Sequence, residues 1–301
     1  MGTSASSLGP NNQSPLVPPW AEQGDSITIE PASGTDGDIN TEPNDSDGSE
    51  GSENNDQNDN NNEIDNSQVQ GEIPGPTHIQ PQPNRFAGAR QAFGKYAQSG
   101  GTTSNLRKSL KSYSKKSSGG GKGTSRRLAS GITAGTGLLG IMRGDRVTVN
   151  NQTISLGDLK GLTTDQAIDK IASHLAPDNA DADAVRIALD YALEEALPDT
   201  EDFEPESFTD DVIQEAISCY LTDLIFQDVV NGMGRAWFHV EPASKHHKME
   251  EELRELIKVI AQEQMEHVTH GNPSSITRDN ITKIQIDAIT MTVDEWESFD
   301  D

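Results

Sequence analysis

The sequence has one cysteine, few aromatic residues and no long apolar run. Cys219 alone cannot form an internal disulfide, and its place in an apolar helical pattern predicts a buried, unreactive thiol. No stretch reaches the roughly 18 apolar residues of a membrane span. The first residues carry neither early positive charge nor an apolar core, so we expect no secretory signal, no membrane partner and a cytoplasmic protein.

The apolar content is low and the charges are segregated along the chain. Hydrophobic residues make up 32% and aromatic residues 5% of the chain, so part of it has little apolar surface to bury. Residues 1–84 contain fifteen acidic residues and no Lys or Arg, residues 85–146 contain thirteen basic residues and one acidic residue, and residues 147–301 contain ten basic and thirty-three acidic residues. We therefore predict four parts: an extended N-terminal motif (1–20), a disordered acidic linker (21–84), a basic amphipathic and Gly-rich segment (85–146) and an acidic helical domain (147–301).

The N-terminal motif combines small polar residues with a short apolar sequence that ends at Trp20. Its prolines favour an extended backbone that loses little entropy on docking. A tryptophan in such a segment predicts an anchor, either in the groove of a partner or against the helical domain of the same chain. The residues that we expect to dock are Thr3, Ser4, Leu16, Val17, Pro18, Pro19 and Trp20.

The basic segment contains two short amphipathic patterns, over 85–97 and 105–115, followed by a glycine cluster over 118–123. The cluster lacks the spacing of a phosphate-binding loop, and we interpret residues 119–125 as a flexible basic linker. The interleaved aromatic residues suit a surface that contacts nucleic acid, an acidic partner, or the acidic domain of the same chain. The residues expected on this basic surface are Arg85, Arg90, Arg107, Lys108, Lys111, Arg126 and Arg127.

The rest of the sequence predicts a mainly α protein that ends in a small helical bundle. Gly131 and Gly135 favour a close helix contact, and residues 147–156 favour a short strand or hairpin. Helices are expected after a capping box at Thr163 and over 181–197, 208–230 and 248–267. The Ile- and Thr-rich residues 281–293 suit helix or strand, and residues 294–301 are expected to be loose.

The sequence offers no convincing catalytic or metal-binding pattern. His267 and His270 lie near a helix end without a cysteine pair or a second ligand motif, and we interpret them as solvated. Cys219 has no neighbouring base in the sequence, and no nucleophile-elbow motif occurs. We therefore expect a binding protein without cofactor or metal rather than an enzyme.

The order of several motifs resembles the QatB family of the four-gene Qat anti-phage defence system. The motifs are the Met1-Gly2-Thr3-Ser4 start, the sequence from Pro15 to Trp20, the Arg85-Phe86-x-Gly88-Ala89-Arg90 sequence, the Leu106-Arg107-x-x-Leu110-x-x-Tyr113 sequence and the Arg126-Arg127 pair before a Gly-rich stretch. The resemblance implies three partners, namely an ATPase, a protein similar to the deazaguanine-forming enzyme QueC, and a TatD-like nuclease. It implies no catalysis by the QatB subunit itself.

The resemblance also suggests a role for Gly2. Removal of Met1 before this small residue would expose an α-amine whose pKa is near ~8, so part of it is a neutral nucleophile at neutral pH. We hypothesise that this amine replaces ammonia at the QueC-like enzyme and becomes linked to a deazaguanine. The alternatives are N-myristoylation, an unmodified docking tail, and a nucleic-acid-binding adaptor that recruits a nuclease through basic residues 85–127.

Overall fold

The computed structural model describes residues 27–31, 86–98, 102–114, 119–198, 200–238 and 243–299. The predicted site residues Gly2, Thr3, Ser4, Leu16, Val17, Pro18, Pro19, Trp20 and Arg85 lie outside the described residues. In chain order the elements are β1 (Thr28–Glu30), α1 (Ala87–Gln98), α2 (Thr103–Tyr113), α3 (Gly120–Arg127), α4 (Ala129–Met142), β2 (Arg146–Val149), β3 (Gln152–Ile154), α5 (Thr164–Leu175), α6 (Ala182–Ala196), α7 (Asp210–Met233), α8 (Arg235–Phe238), α9 (Ala243–Thr269) and α10 (Ile281–Ser298). The prediction of a mainly α protein with a helical C-terminal part is confirmed.

Helix α7 lies at the centre of the bundle and is buried along most of its length. The Thr209 side chain accepts a hydrogen bond from the Val212 amide at its start, and Gly234 ends it with a positive φ of 52°. Helices α6, α9 and α4 pack around it. Because α7 contacts neighbours on several sides, its apolar stripe is broad, as the sequence indicated over 208–230.

Helix α10 forms the second support of the fold, against which α2, α3, α4 and α9 pack. Residues 281–293, for which the sequence left helix and strand open, are helical. The prediction that the chain is loose from residue 294 is wrong for residues 294–298, which continue the helix. Trp296 is fully buried, and its ring lies 6.2 Å from that of Tyr113. Burial of this large apolar side chain stabilises the last turns of the helix despite their acidic sequence.

The glycine cluster also differs from its prediction. Gly119 and Gly120 have positive φ values of 80° and 70°, and the following residues form α3 rather than a flexible linker. Glycine is a poor helix former, so the helix depends on packing against α10. A Cβ on Gly121 would lie 2.3 Å from the carbonyl oxygen of Thr290, and the missing side chain therefore permits the close contact.

Two glycines of α4 confirm the predicted close helix contacts. A Cβ on Gly131 would lie 2.7 Å from the side chain of Leu224, and one on Gly135 would lie 2.1 Å from Oε1 of Gln285. The Tyr220 hydroxyl donates a 2.6 Å hydrogen bond to the Gly131 carbonyl oxygen. Because Gly131 and Gly135 have no side chain, α4 can approach both α7 and α10 closely.

The predicted hairpin over 147–156 is present as β2 and β3, which are antiparallel. Asn150 and Asn151 form its turn with φ values of 49° and 63°, which asparagine tolerates better than most residues. A third strand, β1, pairs antiparallel with β2. It lies within the segment 21–84 that the sequence analysis interpreted as linker, so that interpretation needs correction for residues 28–30.

The basic segment 85–146 and the acidic segment 147–301 share one hydrophobic core. Phe93, Leu106 and Leu110 of the basic helices are buried in the same cluster as the residues of α7 and α10. The capping box of Thr163 and Gln166 and the α6 bounds agree with the sequence analysis. The boundary between residues 146 and 147 is therefore one of charge and not of packing.

Candidate interaction surface and attachment site

The basic residues of α1 and α2 are partly engaged with the rest of the chain. The Arg90 Nε donates a 3.1 Å hydrogen bond to the Gly232 carbonyl oxygen, and its guanidinium lies 5.8 Å from the centre of the Phe86 ring. The Arg107 guanidinium lies over the Phe299 ring at 5.3 Å. Lys108 is exposed and Lys111 is half-buried. Arg90 and Arg107 thus hold helices together through contacts that still leave both side chains exposed.

Arg127 belongs to a polar network between α2, α3 and α7. Its Nη2 atom lies 2.7 Å from Oδ2 of Asp228, and the Tyr113 hydroxyl donates to the same oxygen. Burial, followed by the charge of Asp228, raises the pKa of the Tyr113 hydroxyl well above its usual value. Burial lowers the pKa of the Arg127 guanidinium, but the charges and hydrogen bonds of Asp228 and Tyr113 together outweigh burial and raise it. Arg127 therefore acts in the packing between helices and not, as its sequence context predicted, on the basic surface.

Four cations of α2 and α3 are exposed to solvent: Arg107, Lys108, Lys122 and Arg126. We refer to them as the α2–α3 cations. Three of them belong to the basic surface that the sequence analysis proposed, and Lys122 is added because α3 is helical. Both helices pack against α10.

The start of α3 is occupied by a carboxylate of the same chain. The Gly121 amide donates a 2.8 Å hydrogen bond to Oδ1 of Asp294. A carboxylate at a helix start complements the helix dipole. The glycine cluster that resembled a phosphate loop is thus in contact with α10.

The buried ionisable groups of the bundle are engaged in structural contacts. Burial and the nearby Glu215 carboxylate raise the pKa of the Cys219 thiol to about 12, so the thiol is protonated at neutral pH. The prediction that Cys219 is buried is confirmed. The fully buried Asp223 carboxylate pairs with Arg254, whose guanidinium lies 3.9 Å from the centre of the Phe226 ring. Burial raises the pKa of Asp223, and Arg254 opposes that rise.

A cleft of about 350 Å³ opens where α3 meets α4, opposite α6 and α7. Its floor contains the buried side chains of Val185 and Leu224. Arg126 and Asn231 lie on its exposed side, and the Ser130 hydroxyl donates to Asp181 at 3.0 Å. The polar groups of the cleft carry both signs of charge and come from segments that are far apart in the sequence.

Within the described ranges, no group of three or more His, Cys, Asp and Glu side chains has the arrangement of a metal site. His267 lies in the last turn of α9, and His270 follows that helix. Among the residues that the structure describes, no helix has the length and apolar character needed to cross a bilayer.

The sheet is the attachment site of the N-terminal segment, which the sequence did not reveal. In β1, Ile29 is paired with Val147 and Glu30 with Arg146 of β2. Ile27 and Ile29 pack against the core as partly buried residues. The chain before Ile27 therefore departs from a defined place beside α4 and β2.

These observations define a mainly α-helical protein whose buried ionisable groups serve packing and whose N-terminal segment is attached through a short strand. The family model of QatB, the Qat anti-phage system associated protein, matches residues 119–295, from α3 into α10. The chain belongs to the QatB family and is therefore a component of the Qat anti-phage system. No curated protein and no solved structure showed significant similarity to the chain.

Proposed function

We propose that this chain is a non-catalytic subunit that presents its N-terminal arm, residues 1–26, to a QueC-like partner. The observation that carries the proposal is the docking of β1 on the sheet, since it attaches the root of the arm to the folded bundle. Twenty-five residues, from Gly2 to the residue before Ile27, separate the reactive amine from this attachment. Their fully extended length is about 85 Å, at ~3.4 Å per residue, which gives Gly2 access to a partner bound elsewhere on the bundle.

The proposed chemistry is the formation of an amide at Gly2. The partner activates a deazaguanine carboxylate with ATP, and the neutral Gly2 amine attacks the carbonyl carbon. A carbon–nitrogen bond forms, the bond from that carbon to the nucleotide leaving group breaks, and the nitrogen loses a proton to solvent or to a partner base. Gly2 suits a narrow site because it has no side chain, and residues 16–20 would hold the arm in register.

The role of the bundle is to scaffold the other subunits, the ATPase and the TatD-like nuclease. A role without catalysis is supported by the contacts of Cys219, Asp223, Asp228 and Arg127. Each of these groups forms a hydrogen bond or an ion pair within the chain. A group that takes part in general acid–base catalysis, by contrast, has to reach the substrate and exchange a proton with it.

Intact-mass spectrometry of the chain, expressed alone and with an active QueC-like partner, tests this proposal. We expect a mass increment only in the co-expressed sample. Gly2→Glu should abolish it, because a large second residue retains Met1 and leaves no glycine amine. Gly9→Ala is the matched control in the same arm and should retain the increment. An unchanged mass beside an active partner would contradict the proposal.

A second function is favoured by the exposure of the α2–α3 cations, which suit a nucleic-acid-binding adaptor that recruits a nuclease. Exposed cations on neighbouring helices attract the phosphate backbone without reading its sequence. Their affinity for DNA should therefore fall steeply as the salt concentration rises.

Neutralising the α2–α3 cations tests the adaptor function. Replacing Arg107, Lys108, Lys122 and Arg126 by glutamine should weaken binding to double-stranded DNA more than tenfold at low salt and flatten its salt dependence. The matched control is glutamine at four exposed cations elsewhere: Arg146, Lys160, Arg235 and Lys283. Arg127 stays unchanged because its loss would disturb the Asp228 network. Equal DNA binding by both variants would exclude the α2–α3 cations as the contact surface.

A further inference from the structure

The face of α4 beneath β1 is formed by two glycines that leave room for two isoleucines. A Cβ on Gly137 would lie 3.2 Å from Cδ1 of Ile27 and 2.7 Å from the Leu175 side chain. A Cβ on Gly140 would lie 3.2 Å from Cγ2 of Ile29 and 3.0 Å from Val147. Any larger residue at either position would have to displace a neighbour, so the groove is fitted to the strand.

The backbone and side chains of β1 match this groove. Ile27 and Ile29 lie two residues apart and therefore point to the same face of the sheet. Thr28 and Glu30 point to the other face and are exposed. Glu30 is opposite Arg146, an arrangement of opposite charges that favours this register. The edge of β2 that β1 covers is otherwise a row of unpaired backbone groups.

The groove lies mostly within the part of the chain that defines the family. Helix α4 and strands β2 and β3 belong to residues 119–295, whereas β1 lies about 90 residues before this range. A surface of the family region thus binds a segment that is distant in sequence and adjacent to the arm. Strand addition to a sheet edge is a common way of binding an extended peptide.

We propose that the groove of α4 and β2 is a strand-binding site whose ligand is Ile27–Glu30 of this chain, and that Ile27 and Ile29 are positioning residues for Gly2. The inference rests on the proposed function, which it deepens. With β1 bound, 25 positions lead from Gly2 to Ile27, and without β1 the next residue that the structure describes is Phe86, 84 positions from Gly2.

The length of the tether between Gly2 and the bundle determines how much the local concentration of Gly2 should change when β1 is released. The effective concentration of a tethered group falls roughly as the −3/2 power of the tether length. Release of β1 should therefore lower the local concentration of Gly2 at a partner docked on the bundle about sixfold. The bundle itself should stay folded, because Ile27 and Ile29 are only partly buried at its edge.

The test compares the full chain with the variant Ile27→Ser/Ile29→Ser. Hydrogen exchange should show that β1 is protected in the full chain and that protection of β1 and of the edge of β2 is lost in the variant. The initial rate of the Gly2 mass increment, with limiting partner, should fall about sixfold. The matched control is Thr28→Ser, which alters only an outward side chain and should change neither measurement.

A disulfide separates positioning from any other effect of the isoleucines. Thr28 and Thr148 are register partners, so Thr28→Cys/Thr148→Cys should form a disulfide across the strands without the buried Cys219. Added to the serine variant, this disulfide should restore the rate, and a reductant should remove the restoration. A purely structural role of the isoleucines would not be rescued in this way.

The outcomes for the two proposals are distinguishable. Exchange of β1 in the full chain as fast as in the serine variant would overturn the strand-binding site. An unchanged increment rate despite release of β1, or no rescue by the disulfide, would overturn the positioning role. No increment in any variant would overturn the role of Gly2, and hydrogen exchange would still decide whether the groove binds the strand.

Discussion

Gly121→Ala should destabilise the protein by about 3 kcal/mol or more. The new Cβ would lie 2.3 Å from the oxygen and 2.6 Å from the Cα of Thr290. Both are backbone atoms of α10, which cannot turn aside as a flexible side chain does. Relief of the clash requires α3 and α10 to separate, with loss of the hydrogen bond from Gly121 to Asp294. Chemical denaturation followed by circular dichroism measures the change.

Gly94→Ala is the matched control because it makes the same substitution in another helix of the bundle. Apart from the backbone of its own helix and its chain neighbours, no heavy atom lies within 4 Å of a Cβ at this position in α1. Alanine is the better helix former, so this variant should gain up to about 1 kcal/mol. The same chemical change is thus expected to have opposite signs at the two positions. Similar small effects at both would contradict the close packing of α3 on α10.

The second large effect is expected for Asp228→Ala. The substitution removes the carboxylate that pairs with the Arg127 guanidinium and accepts a hydrogen bond from the buried Tyr113 hydroxyl. Loss of one member of a buried pair costs about 3–5 kcal/mol. The side chains of Arg127 and Asp228 are 20% and 14% exposed, which lowers the expected loss of stability to roughly 2–4 kcal/mol. Urea denaturation at neutral pH measures this loss.

Asp169→Ala provides the comparison for an ion pair on the surface. Asp169 lies 2.5 Å from Arg186, but the two side chains are 66% and 48% exposed. Solvent screens such a pair, and its loss should change the free energy of unfolding by no more than about 1 kcal/mol. If the two aspartate variants lost equal stability, the network around Arg127 would not hold α2, α3 and α7 together.

The parts of the fold that the sequence predicted are those whose signals are local. The stripe of α7, the capping box of α5 and the paired glycines of α4 each follow from residues close together in the chain. In α3, glycines that disfavour a helix in isolation form one because α10 supplies the packing surface. The burial of Trp296 could not be predicted from the sequence either, because its partner Tyr113 lies far away along the chain.

The candidate sites show the same difference between features with a local sequence signal and features that depend on distant residues. The sequence indicated the basic character of α2 and α3, but not that Asp228, about 100 residues away, pairs with Arg127. It also gave no signal for β1, because a strand of three residues is too short for a periodic pattern to stand out. The partner of β1 is a hairpin edge more than 100 residues further along, which only the folded structure brings near.

The most direct test of the account is mass spectrometry of the peptide that contains Gly2. Trypsin is unsuitable because the first Lys or Arg of the sequence is Arg85, whereas cleavage after Glu22 releases a short peptide with both Gly2 and Trp20. With an active QueC-like partner, we expect this peptide to begin at Gly2 and to carry a deazaguanine linked through an amide to its α-amine. A peptide with a free Gly2 amine in every sample would contradict the account and leave the arm a docking segment.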